Sequence, residues 1–120
     1  MLVELGLESH AYRPAAILAH GEKRLLEIAM ALVSKPQVVL LDEPTAGLGS
    51  DETRRMSEFI GGLKGKFTIL QIEHDMEVVF ALADRIFVLA MGAVVASGLP
   101  ERIRNDPSVR LAYLGDEEDV

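Results

Sequence analysis

Apolar positions change their spacing along the chain, and each spacing predicts an element. In "GEKRLLEIAMALVSK", Leu25, Ile28, Ala29, Leu32 and Val33 recur at i, i+3, i+4, i+7 and i+8. That is one apolar face of a helix, and Pro36 should stop it. "QVVLLD" then holds four apolar residues in a row, Val38 to Leu41. The run reads as a strand buried on both faces. Helical spacing returns at Met56, Phe59, Ile60 and Leu63. Ser50 is the expected cap of that helix, Asp51 and Glu52 suit its first turn, and the Gly65 region should end it. "FTILQIE" predicts a second strand. Strand, helix and strand within about one crossover length predict a right-handed βαβ unit with parallel strands.

The remaining elements are shorter. Residues 1–6 read as the end of a helix closing at Gly6, and residues 8–18 as irregular chain around Pro14. Asp75 can cap a short helix with Met76, Val79, Phe80 and Ala83 inward. "RIFVLA" and "AVVASG" flank Met91-Gly92 and predict a hairpin. Pro100 opens a short helix, Asp106-Pro107 reads as a cap followed by a first-turn proline, and Gly115 should end the order. No internal repeat or low-complexity segment interrupts this succession. The expectation is an α/β domain with a parallel βαβ unit, a C-terminal hairpin and short helices.

Composition limits the function classes. The chain has 120 residues, 49% hydrophobic and 26% charged, as in a globular domain with a modest core. It has no cysteine, which excludes disulfides and thiolate metal sites. The net charge is −7, so a nucleic-acid partner is not expected. Part of that charge is the tail "DEED", which reads as a solvated end. The apolar runs are too short to cross a bilayer, and "MLVELGLESH" has neither the basic start nor the small-residue cleavage site of a signal peptide. The expected location is cytoplasmic.

Three stretches can carry chemistry. "LLDEP" puts Asp42 and Glu43 at the carboxyl end of a strand, where ligands gather in open parallel sheets. An aspartate there can hold Mg²⁺ directly or through water, and a neighbouring glutamate can polarise an attacking water. The plainer reading is an acidic turn before Pro44. "QIEHD" puts His74 just past the second strand, able to donate to a phosphate oxygen; alone, such a histidine is more often a structural loop residue. His10 and His20 have no spacing that would make a zinc site with it. "LAHGEKR" opens the first helix, and a helix start offers free N–H groups to an anion, although an ordinary helix start looks the same.

Taken together, in this order and spacing, the three stretches resemble the nucleotide-binding domain of ABC transporters. "LAHGE" looks like that family's signature motif, usually written LSGGQ. "VVLLDEP" looks like its Walker B strand with the catalytic glutamate, "AGLG" sits where its D-loop sits, and His74 matches its switch histidine. "LEIAMAL", "IEHDM" and "LADRIFVLAMGAVVASGLPERIRNDPSVRLAYLG" are similar to the ATP-binding subunits of branched-chain amino acid importers, which close on a Tyr-Leu-Gly, here Tyr113, Leu114 and Gly115. The resemblance implies that Asp42 helps hold Mg²⁺, Glu43 is the general base for water, and His74 contacts the γ-phosphate of ATP. It implies that Ala19, His20, Gly21 and Glu22 face the nucleotide of a second nucleotide-binding subunit, and that Gly47 to Gly49 lie across the dimer interface. Ala19 departs from the family's serine, which removes a hydroxyl contact. His20 and Glu22 depart from Gly and Gln, and Gly49 from the usual D-loop Asp.

The resemblance is to the C-terminal half of the domain only. It divides the chain into the end of a helical subdomain with the signature helix (1–35), a core from Walker B to the switch histidine and hairpin (36–98), C-terminal helices (99–115) and an acidic tail (116–120). No G-x-x-x-x-G-K-[ST] phosphate loop occurs. "GGLKGKF" is one residue short, has Phe67 where Ser or Thr belongs, and precedes a strand instead of following one. The family's P-loop half is absent, so the fold expected is a partial P-loop NTPase sheet. Its P-loop strand would stand between the strand ending at Glu73 and that of Phe87 and Val88, leaving two edges that either pair directly or stay open.

The function expected is the ATP-binding subunit of an importer. It would act as a dimer on a transmembrane permease, peripheral to the membrane, and be inactive without a P-loop half. A non-enzymatic remnant or interaction module of the same ancestry is the alternative. An ABC-type ATPase acting on DNA or ribosomes fits the motifs but not the acidic balance.

Overall fold

A computed structural model describes residues 20–111, and the expectations for residues 1–19 and 112–120, with Ala19 and the Tyr113-Leu114-Gly115 ending, lie outside them. The described residues form two compact units, divided between Asp75 and Met76.

In the first unit, α1 spans His20–Leu32, β1 Val38–Asp42, α2 Ser50–Leu63 and β2 Thr68–Ile72. The stripe of α1 is as expected at Leu25, Ile28, Ala29 and Leu32. Val33 is not part of it. The helix ends at Leu32, Lys35 turns the chain back at φ 52, and Val33 is left 70% exposed. Helix α2 buries Met56, Ile60 and Leu63, with Phe59 half-buried. Ser50 is not its cap but its first residue. Gly49, extended at φ −71 and ψ 174, holds the cap position with no side-chain bond, and its carbonyl accepts from Thr53 N at 2.8 Å. The glycine has already taken the chain out of helical geometry one residue earlier. At the other end Lys64 caps and Gly65 has φ 89, so "GGLKGKF" is a helix-ending turn.

Strands β1 and β2 pair in parallel from Val38 opposite Thr68 to Asp42 opposite Ile72, which gives the expected strand–helix–strand unit. Burial on both faces is not found. Val39 and Leu41 are buried, whereas Val38 is 54% and Leu40 71% exposed. Leu70 and Ile72 of β2 share the exposed face by register. The apolar run made both faces fit for burial, but covering them takes a layer on each side. Among the described residues only one side has such a layer.

In the second unit, α3 spans Met76–Leu82, β3 Ile86–Ala90, β4 Ala93–Gly98, α4 Pro100–Arg104 and α5 Pro107–Val109. The hairpin turns through Met91 and Gly92, both left-handed at φ 52 and 79, as a two-residue primed turn requires. A bulge shifts its register between Val88 and Leu89. Ile86, Val88, Ile103 and Val109 form the core, with Val79, Phe80, Ala83 and Ala96 packed on it. The most buried residue of α3, Val78, lies outside the expected stripe. Pro100 starts α4 as expected. Asp106 caps α5, its carboxylate accepting from Ser108 N at 2.9 Å and Ser108 Oγ at 2.6 Å. The sheets are β1–β2 and β3–β4, two strands each.

Candidate functional site

The site lies in the first unit, where both parallel strands end. Asp42 is the last residue of β1 and is exposed. Glu43 follows at φ 48, a left-handed conformation that costs a residue with a Cβ about 1–2 kcal/mol. Its amide still donates to Ile72 O at 2.8 Å, so the ladder between the strands runs one residue past β1 before the chain turns. Two residues beyond Ile72 stands His74. Its Nδ1 is 2.5 Å from Glu43 Oε1. With a carboxylate as acceptor, Nδ1 carries the proton and donates, and the other ring nitrogen is left for a further partner. The Glu43 carboxylate, first by this hydrogen bond and then by its charge, holds the His74 pKa above the ordinary 6.5. Glu73 and Asp75 add to the effect and desolvation opposes it.

A second set of bonds fixes the turn. Arg24, on α1, brings Nη1 to the carbonyl oxygens of Glu43 (3.3 Å), Pro44 (3.0 Å) and Ala46 (2.5 Å). Thr45 is buried, and its hydroxyl donates to Glu73 Oε2 at 3.2 Å, which also accepts from Gln71 Nε2 at 3.1 Å. The loop after β1 is thus tied both to α1 and to the end of β2.

The start of α1 meets the next loop. Gly47 has φ 77, and a Cβ there would lie 3.8 Å from His20 Nε2. Gly21 is buried, and a Cβ on it would run into the Glu52 carboxylate, 3.2 Å from its Cδ. The fold therefore joins expected residues in two groups, Glu43 with His74, and His20 and Gly21 with Gly47, where Glu52 joins them. Glu22 lies in the first turn of α1, and Gly49 caps α2 with open space around it. Among the described residues no group of three or more His, Cys, Asp or Glu side chains is placed to hold a metal ion.

Arg24, Thr45 and Glu52 were not anticipated. For Arg24 a signal existed, since it sits three residues after Gly21 and four before Ile28, inside the buried stripe, where a charge needs a partner.

A family model of the ABC transporter matches residues 1–46, and one of the branched-chain amino acid ATP-binding cassette transporter matches residues 93–119. The high-affinity branched-chain amino acid transport ATP-binding protein LivG of Escherichia coli (strain K12) is 48% identical over 117 residues, 96% of this chain and 46% of that protein. This chain belongs to the ABC transporter ATP-binding family. BraF of Pseudomonas aeruginosa, which carries the same description, is 44% identical over the same shares. The ADP conformation of MJ1267, an ATP-binding cassette of an ABC transporter, superposes with a TM-score of 0.82 at 33% identity, over 95% of this chain and 47% of that one. The chain thus spans about half the length of the curated relatives it matches, and its α/β fold is a part of the P-loop NTPase fold.

Proposed function

We propose that this chain is the C-terminal part of an ATP-binding subunit that powers uptake of branched-chain amino acids through a transmembrane permease. The observation that carries this reading is the Glu43–His74 pair at the carboxyl ends of two parallel strands. Glu43 acts as general base toward the attacking water. His74 orients that carboxylate through Nδ1 and offers its other ring nitrogen to the γ-phosphate. Asp42 would help hold Mg²⁺, which when bound would supply positive charge to offset that of the phosphate oxygens. The start of α1, at His20 and Gly21, presents N–H groups to the nucleotide of a second nucleotide-binding subunit, and Gly47 and Gly49 lie along that interface. No helix among the described residues is long and apolar enough to cross a membrane, which suits a peripheral subunit on the inner membrane face.

Its 120 residues contain no phosphate loop, and in P-loop enzymes that loop supplies much of the triphosphate binding. The isolated chain should neither bind nor hydrolyse ATP. The test is ATP hydrolysis by the isolated chain and by a chimera in which it replaces the matching region of LivG. An active chimera that Glu43→Gln silences, beside an inactive chain, supports the proposal. A folded but inactive chimera would point to a non-enzymatic interaction module, and hydrolysis by the isolated chain would refute its dependence on a P-loop half.

A further inference from the structure

Arg24 joins α1 to the turn that carries Glu43. Its Nη1 stands within hydrogen-bond distance of three carbonyl oxygens, at Glu43, Pro44 and Ala46. Carbonyls converging on one point repel each other unless a donor stands between them, and a cationic donor makes the stronger bonds. The turn they belong to is one the backbone avoids, because Glu43 is left-handed without being a glycine. Such a conformation persists only where its surroundings over-determine it. The Glu43 amide is held by Ile72 O, and its carbonyl accepts from Ala46 N at 3.1 Å; Arg24 is the side chain that gathers this carbonyl together with those of Pro44 and Ala46. If Glu43 relaxed to negative φ, its Cβ would swing and its carboxylate would leave His74.

We propose that Arg24 is a positioning residue for Glu43: from the helix whose start bears His20 and Gly21, it pins the left-handed turn that directs the Glu43 carboxylate to His74. Its role in hydrolysis rests on the general-base reading of Glu43. The bond pattern does not, so the two can fail separately. The geometry has a consequence for coupling. Arg24 lies one helical turn from Gly21 on the same face of α1. A displacement of the start of α1 is therefore passed to the backbone of Glu43 through one side chain.

The test is an NMR titration of the His74 ring in the full chain, with Arg24→Met and Arg24→Lys, and far-UV circular dichroism to monitor folding. Glu43, Glu73 and Asp75 are the charged groups acting on His74. Arg24 is not among them, and any direct effect of removing its charge would be to raise the His74 pKa, because a cation disfavours imidazolium. Loss of positioning does the opposite. Arg24→Met should lower the His74 pKa toward 6.5. Arg24→Lys, which keeps the cation but reaches one bond less far, should fall between Met and wild type. Glu43→Gln should lower the value in wild type and have little further effect beside Arg24→Met. A His74 pKa at or above wild type in folded Arg24→Met would overturn the proposal. Should Arg24→Met not fold, the same result in Arg24→Lys would overturn it.

Discussion

Replacing Leu40 and Leu41 by alanine, one at a time, should cost very different amounts although the two are neighbours in one strand. Leu41 is 8% exposed and Leu40 71%. Full burial of a leucine side chain is worth about 1.5–3 kcal/mol. Leu40 has under a third of that to lose and leaves no closed cavity, so Leu40→Ala should cost about 0.5–1 kcal/mol. Leu41→Ala loses most of the transfer energy and adds a cavity, which brings it to about 2–5 kcal/mol. Urea unfolding of the full chain, followed by circular dichroism, reads both costs as shifts of the midpoint at constant slope. Equal losses would refute the one-faced sheet. They would mean that β1 is covered on both sides, as its unbroken apolar run first suggests.

Three further outcomes follow from the site and the second unit. Glu43→Gln should return the His74 pKa toward 6.5, read by NMR. Because the folded value is raised, the pair's contribution to stability is fully present below 6.5 and lost as pH rises through the folded value, so the variant should lose pH dependence in that window. Gly47→Ala should cost about 1–2 kcal/mol in urea unfolding, because φ 77 disfavours a Cβ. The nearest atom, His20 Nε2 at 3.8 Å, leaves room for the methyl group, so a loss much larger than this would mean the loop is held by contacts other than its backbone. Asp106→Ala should lower the melting temperature at neutral pH by removing the Ser108 bonds. Those bonds hold the Asp106 pKa below 3.8, so the wild-type advantage should persist above 3.8 and vanish as pH falls through the lowered value.

What could be read in advance was local. "QVVLLD" placed β1 to within a residue, Met91-Gly92 placed the hairpin turn, and Asp106-Pro107 placed the last cap. Each depends on a few neighbouring residues and on backbone preferences that travel with them. The misreadings needed information from further away. Whether the Val38 and Leu40 face is covered depends on another layer and not on the strand. Ser50 yielded the cap position to Gly49 because the loop had left helical geometry one residue earlier. At the site, the acidic strand end and His74 could be named from the sequence, but not that Glu43 and His74 bond to each other across 31 positions. The position of Arg24 in the stripe signalled that it needs a partner, but its partners could not be named, because they are main-chain carbonyls with no signature in the sequence.

The bonds that shape the site are of one kind. Arg24 to the turn, Glu43 N to Ile72 O, Thr45 to Glu73 and His74 to Glu43 all close between residues 24 and 74, within the first unit. None requires a phosphate. The carboxylate and the imidazole are therefore held against each other by this chain's own residues; on the function proposed above, such preorganisation would lower the cost of reaching the transition state. The exposed face of Val38, Leu40, Leu70 and Ile72 belongs to the same two strands. In the LivG chimera, where the remainder of the relative is present, Leu40→Ala should cost more than in this chain alone, toward the about 2–5 kcal/mol of a buried leucine. A cost unchanged between the two would mean that the face stays open and that the rest of the subunit joins elsewhere. A higher cost, with His74 titrating at the same pH in both, would mean that the rest of the subunit covers this face and stabilises the chain without being needed to set the Glu43–His74 pair.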